Sequence, residues 1–308
     1  YNSIISDSRH KIKTGLSFTF DDYDELVNKD NFERIENSFG GFFEYAYDDL
    51  NKFSFTAGFP ADYHNKLGFF ATPRLHLRYA PWEKSVLRAS IGRGKKSANI
   101  FAENQQLFAS NRTINIIDNG GEIYGLNPEI AWNYGLSYLQ GFNLFERKGD
   151  IVFDYYRTDF QEQVVVDWEN PREVSFYNLD GKSYANSFQT EVNYNAFKNV
   201  DFRFSYKYYD VQTEYNMGKF QRALTPKHRL FFNVGVSTTP NKNGLWKFDA
   251  TYNWLSEQRF PSTEMSPVEY QVGKFSPNLS TLNAQVTKVF SPNFEIYVGG
   301  ENLTNIKL

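Results

Sequence analysis

Cysteine is absent from this chain of 308 residues, and several kinds of site are excluded with it. Without cysteine there is no disulfide, no thiolate nucleophile and no zinc site built from cysteine sulfurs. The sequence also lacks any run of about 18 apolar residues, which excludes a transmembrane helix. The net charge of −3 offers no basic surface of the kind that binds phosphate backbones, so we expect no nucleic-acid partner.

Catalytic and metal-binding patterns are equally scarce. The chain has only four histidines, and no two of them stand two or four positions apart: His10, His64, His76 and His228. Zinc sites usually need such close pairs, so we expect no metal and read these histidines as structural or solvated. No GxSxG nucleophile motif occurs, and GRGKKS at 92–97 lacks the spacing of a phosphate-binding loop. We therefore expect neither an enzyme nor a bound cofactor.

Aromatic residues, by contrast, are abundant. They make up 18% of the chain, with 30 Phe and 21 Tyr, a composition typical of strand-rich proteins. The mean hydropathy is only −0.57. A low mean value does not argue against membrane-spanning strands, because alternation of polar and apolar residues dilutes the apolar signal of each strand.

The clearest alternation runs through 186–209 and predicts a hairpin with a connector at 196–200. If the connector is tight, Tyr194 pairs with Phe202 and Asn193 with Arg203. Each arm alternates for about ten residues, the length that crosses a bilayer, although a soluble β-sandwich could show the same pattern. We expect one face of the hairpin toward lipid, with Phe188, Val192, Phe202, Phe204 and Tyr206, and the other toward a lumen, with Glu191, Arg203 and Lys207.

Similar alternation predicts about thirteen strands between residues 9 and 298, one of which continues through Val164–Val166. Short turns are expected at 48–51, 80–84, 142–148, 197–199, 239–243 and 291–293. Longer connectors are expected over the polar stretch 21–37 and at 94–128, 160–183, 212–227 and 257–278. Short turns on one side and long loops on the other are typical of a transmembrane antiparallel β-barrel. We therefore predict that residues 1–308 form one partial barrel domain, cut from a longer exported precursor.

Cations form a candidate site on the predicted lumen face: Arg74, His76, Arg78, Arg88 and, at the outer end, Arg93. One interpretation is a path for an anionic ligand, or contacts to a domain inside the lumen. The other is that these cations pair with carboxylates of the wall, such as Asp62 and Glu44, and stiffen it.

Several stretches resemble one family of outer-membrane proteins. The stretch GGENLTN, formed by Gly299, Gly300, Glu301, Asn302, Leu303, Thr304 and Asn305, is similar to the segment before the last barrel strand of TonB-dependent receptors. The form resembles that of Bacteroidetes members. FFATPRLHLRYAP from Phe69, NPEIAWNYGLSY from Asn127 and LTPKHRLFFNV from Leu224 are similar to the same group in order and spacing.

This resemblance implies a barrel of about 22 strands with a plug domain in its lumen, located in the outer membrane. It implies outer-membrane lipid, the chain's own plug and TonB as partners, with uptake of a scarce ligand driven from the inner membrane. A surface lipoprotein or other outer-membrane subunits are further possible partners. Two alternatives stay open: a receptor-like barrel that serves as a structural or assembly subunit of a larger complex, and a passive pore.

Overall fold

The computed structural model describes residues 1–27 and 29–307, and nearly all of them belong to β-strands or the connections between them. The strands are β1 (Asn2–Ile4), β2 (His10–Val27), β3 (Asp30–Asp48), β4 (Phe53–His64), β5 (Gly68–Ala71), β6 (Arg74–Tyr79), β7 (Ser85–Lys96), β8 (Thr113–Ile116), β9 (Glu129–Leu144), β10 (Arg147–Glu162), β11 (Val164–Asp167), β12 (Glu173–Asn178), β13 (Ser183–Phe197), β14 (Val200–Tyr215), β15 (Gly218–Gln221), β16 (His228–Ser237), β17 (Leu245–Leu255), β18 (Leu279–Ser291) and β19 (Phe294–Gly300). Two 3-10 helices span Ala102–Ala109 and Val268–Tyr270. Neither helix, nor any other within the described ranges, is long and apolar enough to cross a membrane.

Sixteen strands form one antiparallel sheet, in which successive long strands are neighbours. All thirteen strands expected from the alternation are present in it, and they are joined by the short strands β1, β5 and β15. β5 and β6 both pair with β4 in one continuous register, and Pro73, which has no N–H, lies in the gap between them. β15 and β16 likewise both pair with β14. This sheet, called the wall below, is therefore the antiparallel array that the sequence predicts.

The predicted central hairpin is formed by β13 and β14, with 15 and 16 residues. Tyr194 pairs with Phe202 and Asn193 with Arg203, as expected. Only the tip is irregular: after the pair of Tyr194 and Phe202 the register shifts, and Phe197 faces Val200. The tight turn contains Asn199 with a φ of 67°, a left-handed conformation that asparagine adopts more readily than most residues.

Cross-strand pairing divides the wall into two chemically different faces, because paired residues in a sheet lie on the same side. One row across six strands contains Ile151, Val192, Phe204, Phe232, Tyr252 and Leu282. The next row contains Asp150, Asn193, Arg203, Asn233, Thr251 and Asn283. We call these sides the apolar face and the polar face of the wall.

The two ends of the wall differ as the connector lengths predict. At one end the connections are short, as in the turn at 145–146 between β9 and β10, where Phe145 and Glu146 have φ values of 50° and 61°. One expected connector is not a loop: the polar stretch 21–37 continues β2 and β3, which pair until Val27 meets Asp30. The alternation of polar and apolar residues is lost within this stretch, but the backbone hydrogen bonds between the two strands do not require it.

We expected the long connectors at the other end to be irregular loops, but they fold together. β11, β12 and β8 form a second sheet, in which β12 and β8 are parallel. The prediction that Val164–Val166 extends a wall strand is therefore wrong, because β10 ends at Glu162 and these valines belong to β11. This small sheet, the 3-10 helix 102–109 and the adjoining connectors enclose a core, and we call the unit the cap. Its core residues are Ala98, Ile100, Phe101, Leu107, Leu126, Val164, Val174 and Phe176.

Candidate functional site

The polar face of the wall brings together most of the cations singled out in the sequence. Arg74 on β6 donates to Glu44 on β3, with Nη2 and Oε2 3.1 Å apart, although β4 lies between these two strands. Gly58 on β4 makes this possible: it pairs with both residues, and a Cβ there would lie 3.0 Å from Arg74 Nε. Lys13 approaches the same carboxylate, with Nζ 3.7 Å from Oε1. For Arg74 the structure thus shows a wall carboxylate as partner, which is the second of the two interpretations.

A second ion pair lies on the polar face of the central hairpin. Arg203 Nη2 is 3.1 Å from Glu191 Oε2. The other Glu191 oxygen accepts from Asn193 Nδ2 at 3.1 Å, and Asn193 also donates to Asp150 at 3.0 Å. Three neighbouring strands thus share one hydrogen-bonded network, in which the charge of Arg203 is balanced.

His76, Arg78 and Arg88 form a different arrangement. Arg78 on β6 stands directly opposite Arg88 on β7, and His76 stands opposite Ser90. None of the ion pairs within residues 1–27 and 29–307 includes these three side chains. They line an open groove of about 510 Å³ on the sheet. The structure therefore separates the predicted row into paired cations and unpaired ones.

Arg93 does not belong to this row, contrary to our expectation. It pairs with Trp132, whose strand places Tyr134 and Leu136 on the same side, so Arg93 lies on the apolar face. The reason is the two-residue period of a strand: Arg88 and Arg93 are five positions apart, an odd number, and no register shift intervenes. Its guanidinium donates to the carbonyl of Ala71 at 3.4 Å.

Lys207, predicted on the lumen side, has a neighbour that the sequence analysis did not single out. It pairs with Gln189 on one side and with Arg229 on the other. Arg229 alternates with the apolar residues Leu230 and Phe232 on β16, so the same period-two pattern would have identified it. Lys207 and Arg229 form a second pair of cations that face each other across two strands of the polar face.

Two buried clusters join the long connectors to one another or to the wall, and the sequence analysis predicted neither of them. Glu169, 5% exposed, accepts two bonds from Arg259, at 2.6 and 2.9 Å, and one from the backbone N–H of Ser262 at 3.0 Å. Burial alone would lower the pKa of Arg259, but the hydrogen bonds with Glu169 raise it above its ordinary value. This pair joins the connector 163–182 to the connector 256–278.

The second cluster surrounds Arg34, close to the beginning of β3. Its guanidinium bonds to Glu36 at 2.7 Å, to Asn99 at 2.8 Å and to Tyr124 at 2.8 Å. Tyr124 also donates to Glu25. Burial, and to a smaller extent this bond, raises the pKa of the Tyr124 hydroxyl far above its ordinary range. The β2–β3 hairpin is thereby joined to the connector 97–128.

The stretch GGENLTN ends the last strand and forms a tight turn. β19 stops at Gly300, and Asn302 and Asn305 have φ values of 49° and 51°. The side chain of Asn302 accepts from Ile306 N at 3.1 Å and donates to its carbonyl at 2.9 Å. Leu303 N and Thr304 Oγ1 donate to carbonyls of β18, at Leu282 and Ser280. The turn therefore follows the edge of β18 after the regular ladder has ended.

Across the part of the chain that the structure describes, no group of three or more His, Cys, Asp or Glu side chains could hold a metal ion. What the two regions can do is bind charged groups on the polar face and hold a preformed surface at the outer end.

Comparison with known proteins assigns the fold to a family. The family model described as TonB dependent receptor-like, beta-barrel matches residues 4–303. No curated protein sequence matches the chain. Among solved structures, the ferric enterobactin receptor PfeA of Pseudomonas aeruginosa superposes with a TM-score of 0.71 at 15% identity, covering 100% of this chain and 47% of that one.

Two further structures have the same fold at low identity. A copper transporter, OprC, matches with a TM-score of 0.72 at 12% identity, covering 96% of this chain and 48% of its own. The siderophore receptor PirA of Acinetobacter baumannii matches with a TM-score of 0.67 at 10% identity, covering 99% and 49%. The chain spans about half the length of these proteins. It belongs to the TonB-dependent receptor family and forms part of the family's β-barrel domain.

Proposed function

We propose that this chain forms part of the wall of an outer-membrane receptor that takes up a scarce ligand with energy delivered by TonB. One observation supports this most directly: the same long strands carry an apolar and a polar face. The apolar face carries a belt of exposed apolar side chains; Phe18 and Phe59, for example, are 68% and 56% exposed. Such a belt is stable against lipid, and the opposite face suits a wet or plugged lumen.

In this proposal the polar face lines the lumen and contacts the plug domain. The residues concerned are Arg74, His76, Arg78, Arg88, Glu191, Arg203 and Lys207; Arg93 is omitted because it lies on the apolar face. The cap and the other long connectors then lie outside the cell, where the ligand arrives. The plug and TonB are proposed partners from family membership, and the likeness to Bacteroidetes members stays a prediction.

The names of the similar structures describe iron–siderophore receptors and a copper transporter. At 10–15% identity they support the fold and not a particular cargo. A barrel of about 22 strands, the number that the family resemblance implies, would leave an open channel unless a plug filled it. A plugged barrel has to be opened actively. This physical argument supports energised import over passive diffusion.

A second function, as a subunit of a larger outer-membrane assembly, is favoured by a different observation. The connector 256–278 carries apolar side chains at its tip with large exposed fractions: Met265 64%, Val268 82% and Tyr270 70%. Exposed apolar groups of this kind often mark contacts with other proteins, such as a surface lipoprotein.

Two measurements on the full-length protein test the import function. In planar bilayers we expect the wild-type protein to be closed and a variant without the plug to conduct, because the plug would fill the lumen. Full-length protein should also bind the purified periplasmic domain of TonB. Porin-like conductance of the wild type would contradict the proposal, and failure to bind TonB would favour the subunit function instead.

A further inference from the structure

The pairing of Arg78 with Arg88 is unfavourable for the wall by itself. Like charges directly opposite each other on neighbouring strands destabilise a sheet. Two other arginines of the polar face have carboxylate partners: Arg74 has Glu44, and Arg203 has Glu191. No carboxylate of the described residues forms an ion pair with Arg78 or Arg88, although the charge of Arg78 acts on Asp49 in the adjacent turn. Two exposed guanidinium groups that face each other without an ion-pair partner are a reason to look for an anion outside the wall.

The groove around this pair is lined on the polar face by hydrogen-bond donors. These are Ser54, Thr56, His76, Arg78, Arg88, Ser90, Ser137 and Tyr156. No acidic residue is among the described side chains that line it. Its volume of about 510 Å³ lies in the range of small-molecule sites. Guanidinium groups with surrounding hydroxyls are suited to carboxylate and phosphate oxygens, which accept several hydrogen bonds at once.

Gly135 preserves the space at the centre of this groove. It pairs with Ser90 on β7 and with Tyr156 on β10, so it lies between two lining residues. A Cβ at this position would stand 2.5 Å from Ser90 Oγ and 2.7 Å from the ring of Tyr156. A larger residue would therefore displace the groups that line the groove.

The same cross-strand row contains the second pair of facing cations. From Arg88 the row continues through Ser137, Asp154 and Gln189 to Lys207 and then Arg229. Four strand spacings separate Arg88 from Lys207, about 19 Å along the sheet. In the other direction from Arg78 the row passes Ser54 and reaches Asp48. Two acidic residues, Asp48 and Asp154, thus stand in a row with four cations, so the row has a net positive charge.

From these observations we infer that the groove around Arg78 and Arg88 binds the carboxylate or phosphate group of a small anionic solute, with Lys207 and Arg229 extending the positive surface. The inference rests on the proposed function, because it requires the polar face to line the solute's path. A carboxylate of the plug could supply the same chemistry. The donor-lined volume favours a solute, since one plug side chain would leave most of it unfilled.

Binding of inorganic phosphate to the full-length receptor in detergent, measured by calorimetry at low ionic strength, tests this inference. Either Arg78→Gln or Arg88→Gln should weaken binding about tenfold, because each removes one charge-assisted contact. Arg203→Gln is the matched control: it removes an arginine of the same face that already has a carboxylate partner, and phosphate binding should not change. Neither groove variant should lower the melting temperature, because each relieves a repulsion.

Absence of phosphate binding to the wild type, or equal binding by wild type and groove variants, would overturn the inference. If phosphate does not bind and Arg78→Gln raises conductance in planar bilayers, the partner of the pair is a plug carboxylate, which also overturns it. These failures are distinguishable from failure of the receptor function. A protein that binds TonB and stays closed, but binds no phosphate, would retain the proposed function and lose only the oxyanion site.

Discussion

The wall and the cap solve the same problem of stability in opposite ways. In the wall, large apolar side chains such as Phe18 and Phe59 remain mostly exposed on one face. In the cap, Phe176 and Val174 are each 1% exposed and Ile100 is 2% exposed, inside an ordinary water-excluding core. In the proposed receptor the wall takes its apolar environment from lipid, whereas the cap builds its own.

Polar contacts differ between the two regions in the same sense. Away from the end that carries the cap, ion pairs of the wall such as Arg203–Glu191 are partly exposed, with 54% and 20% of the side chains accessible. In the cap and its adjoining connectors, Arg259 and Glu169 are 14% and 4% accessible. Exposed pairs contribute little to stability, but removing one partner of a buried pair is costly. Substitutions should therefore act very differently in the two regions.

The largest effect is expected for Glu169→Ala. It leaves the Arg259 guanidinium buried without a counter-charge, which should cost about 3–5 kcal/mol of cap stability. Hydrogen exchange should accelerate in 160–183 and 256–278, while the wall strands stay protected. Asp159→Ala is the matched control, because it breaks the more exposed pair with Arg157 and should cost about 1 kcal/mol or less. Equal effects of the two variants would contradict the distinction between the regions.

A substitution in the wall should have an effect that depends on the face. Val192→Arg places a charge on the apolar face of β13 and should cost about 2–4 kcal/mol if the residue lies near the bilayer midplane. Asn193→Arg changes the adjacent residue on the polar face and should cost much less. Unfolding by urea in lipid vesicles measures both. A larger loss for the Asn193 variant would show that the two faces are assigned the wrong way round.

The smallest effect concerns a turn at the short-loop end. Asp49 Oδ1 accepts backbone N–H bonds from Phe53, Asn51 and Lys52, and these bonds lower the pKa of the carboxyl below its ordinary value of 3.8. A lowered folded pKa means that the contribution to stability is complete above the ordinary pKa and is lost as pH falls through the folded one. Asp49→Asn should remove this small acid-range dependence below about pH 4, measured by thermal melts. Unchanged pH dependence would exclude Asp49 as its source.

The thirteen wall strands could be predicted because a two-residue period, sustained over ten or more residues in most of them, fixes the face on which each side chain lies. A slip by one residue would exchange the faces occupied by Val192 and Asn193. Applied strictly, the same rule would have placed Arg93 on the apolar face, where Trp132 lies, and Arg229 on the polar face, where Lys207 lies. The pairing of Arg74 with Glu44 was within reach for the same reason.

The cap could not be predicted in this way. Its strands have four to six residues, too few for a period to be recognised. Its parallel pair joins Glu173 to Thr113 across sixty positions of sequence, and local pattern carries no information about such a contact. Arg259 and Glu169 are separated by ninety positions, so their meeting depends on the completed fold.

The parallel pairing of β8 with β12 has a consequence for the order of folding. Apart from the short strands β5 and β15, each wall strand pairs with the next wall strand along the chain, so the wall can grow by adding neighbouring strands, and each step closes a loop shorter than the sixty positions between the paired residues of β8 and β12. The parallel pair needs β9 and β10 to be in place first, because both lie between its strands in sequence. Contacts of high sequence separation form late, since their loop-closure entropy must be offset beforehand. We therefore expect the outer surface of the receptor to mature last, after the strands beneath it have paired.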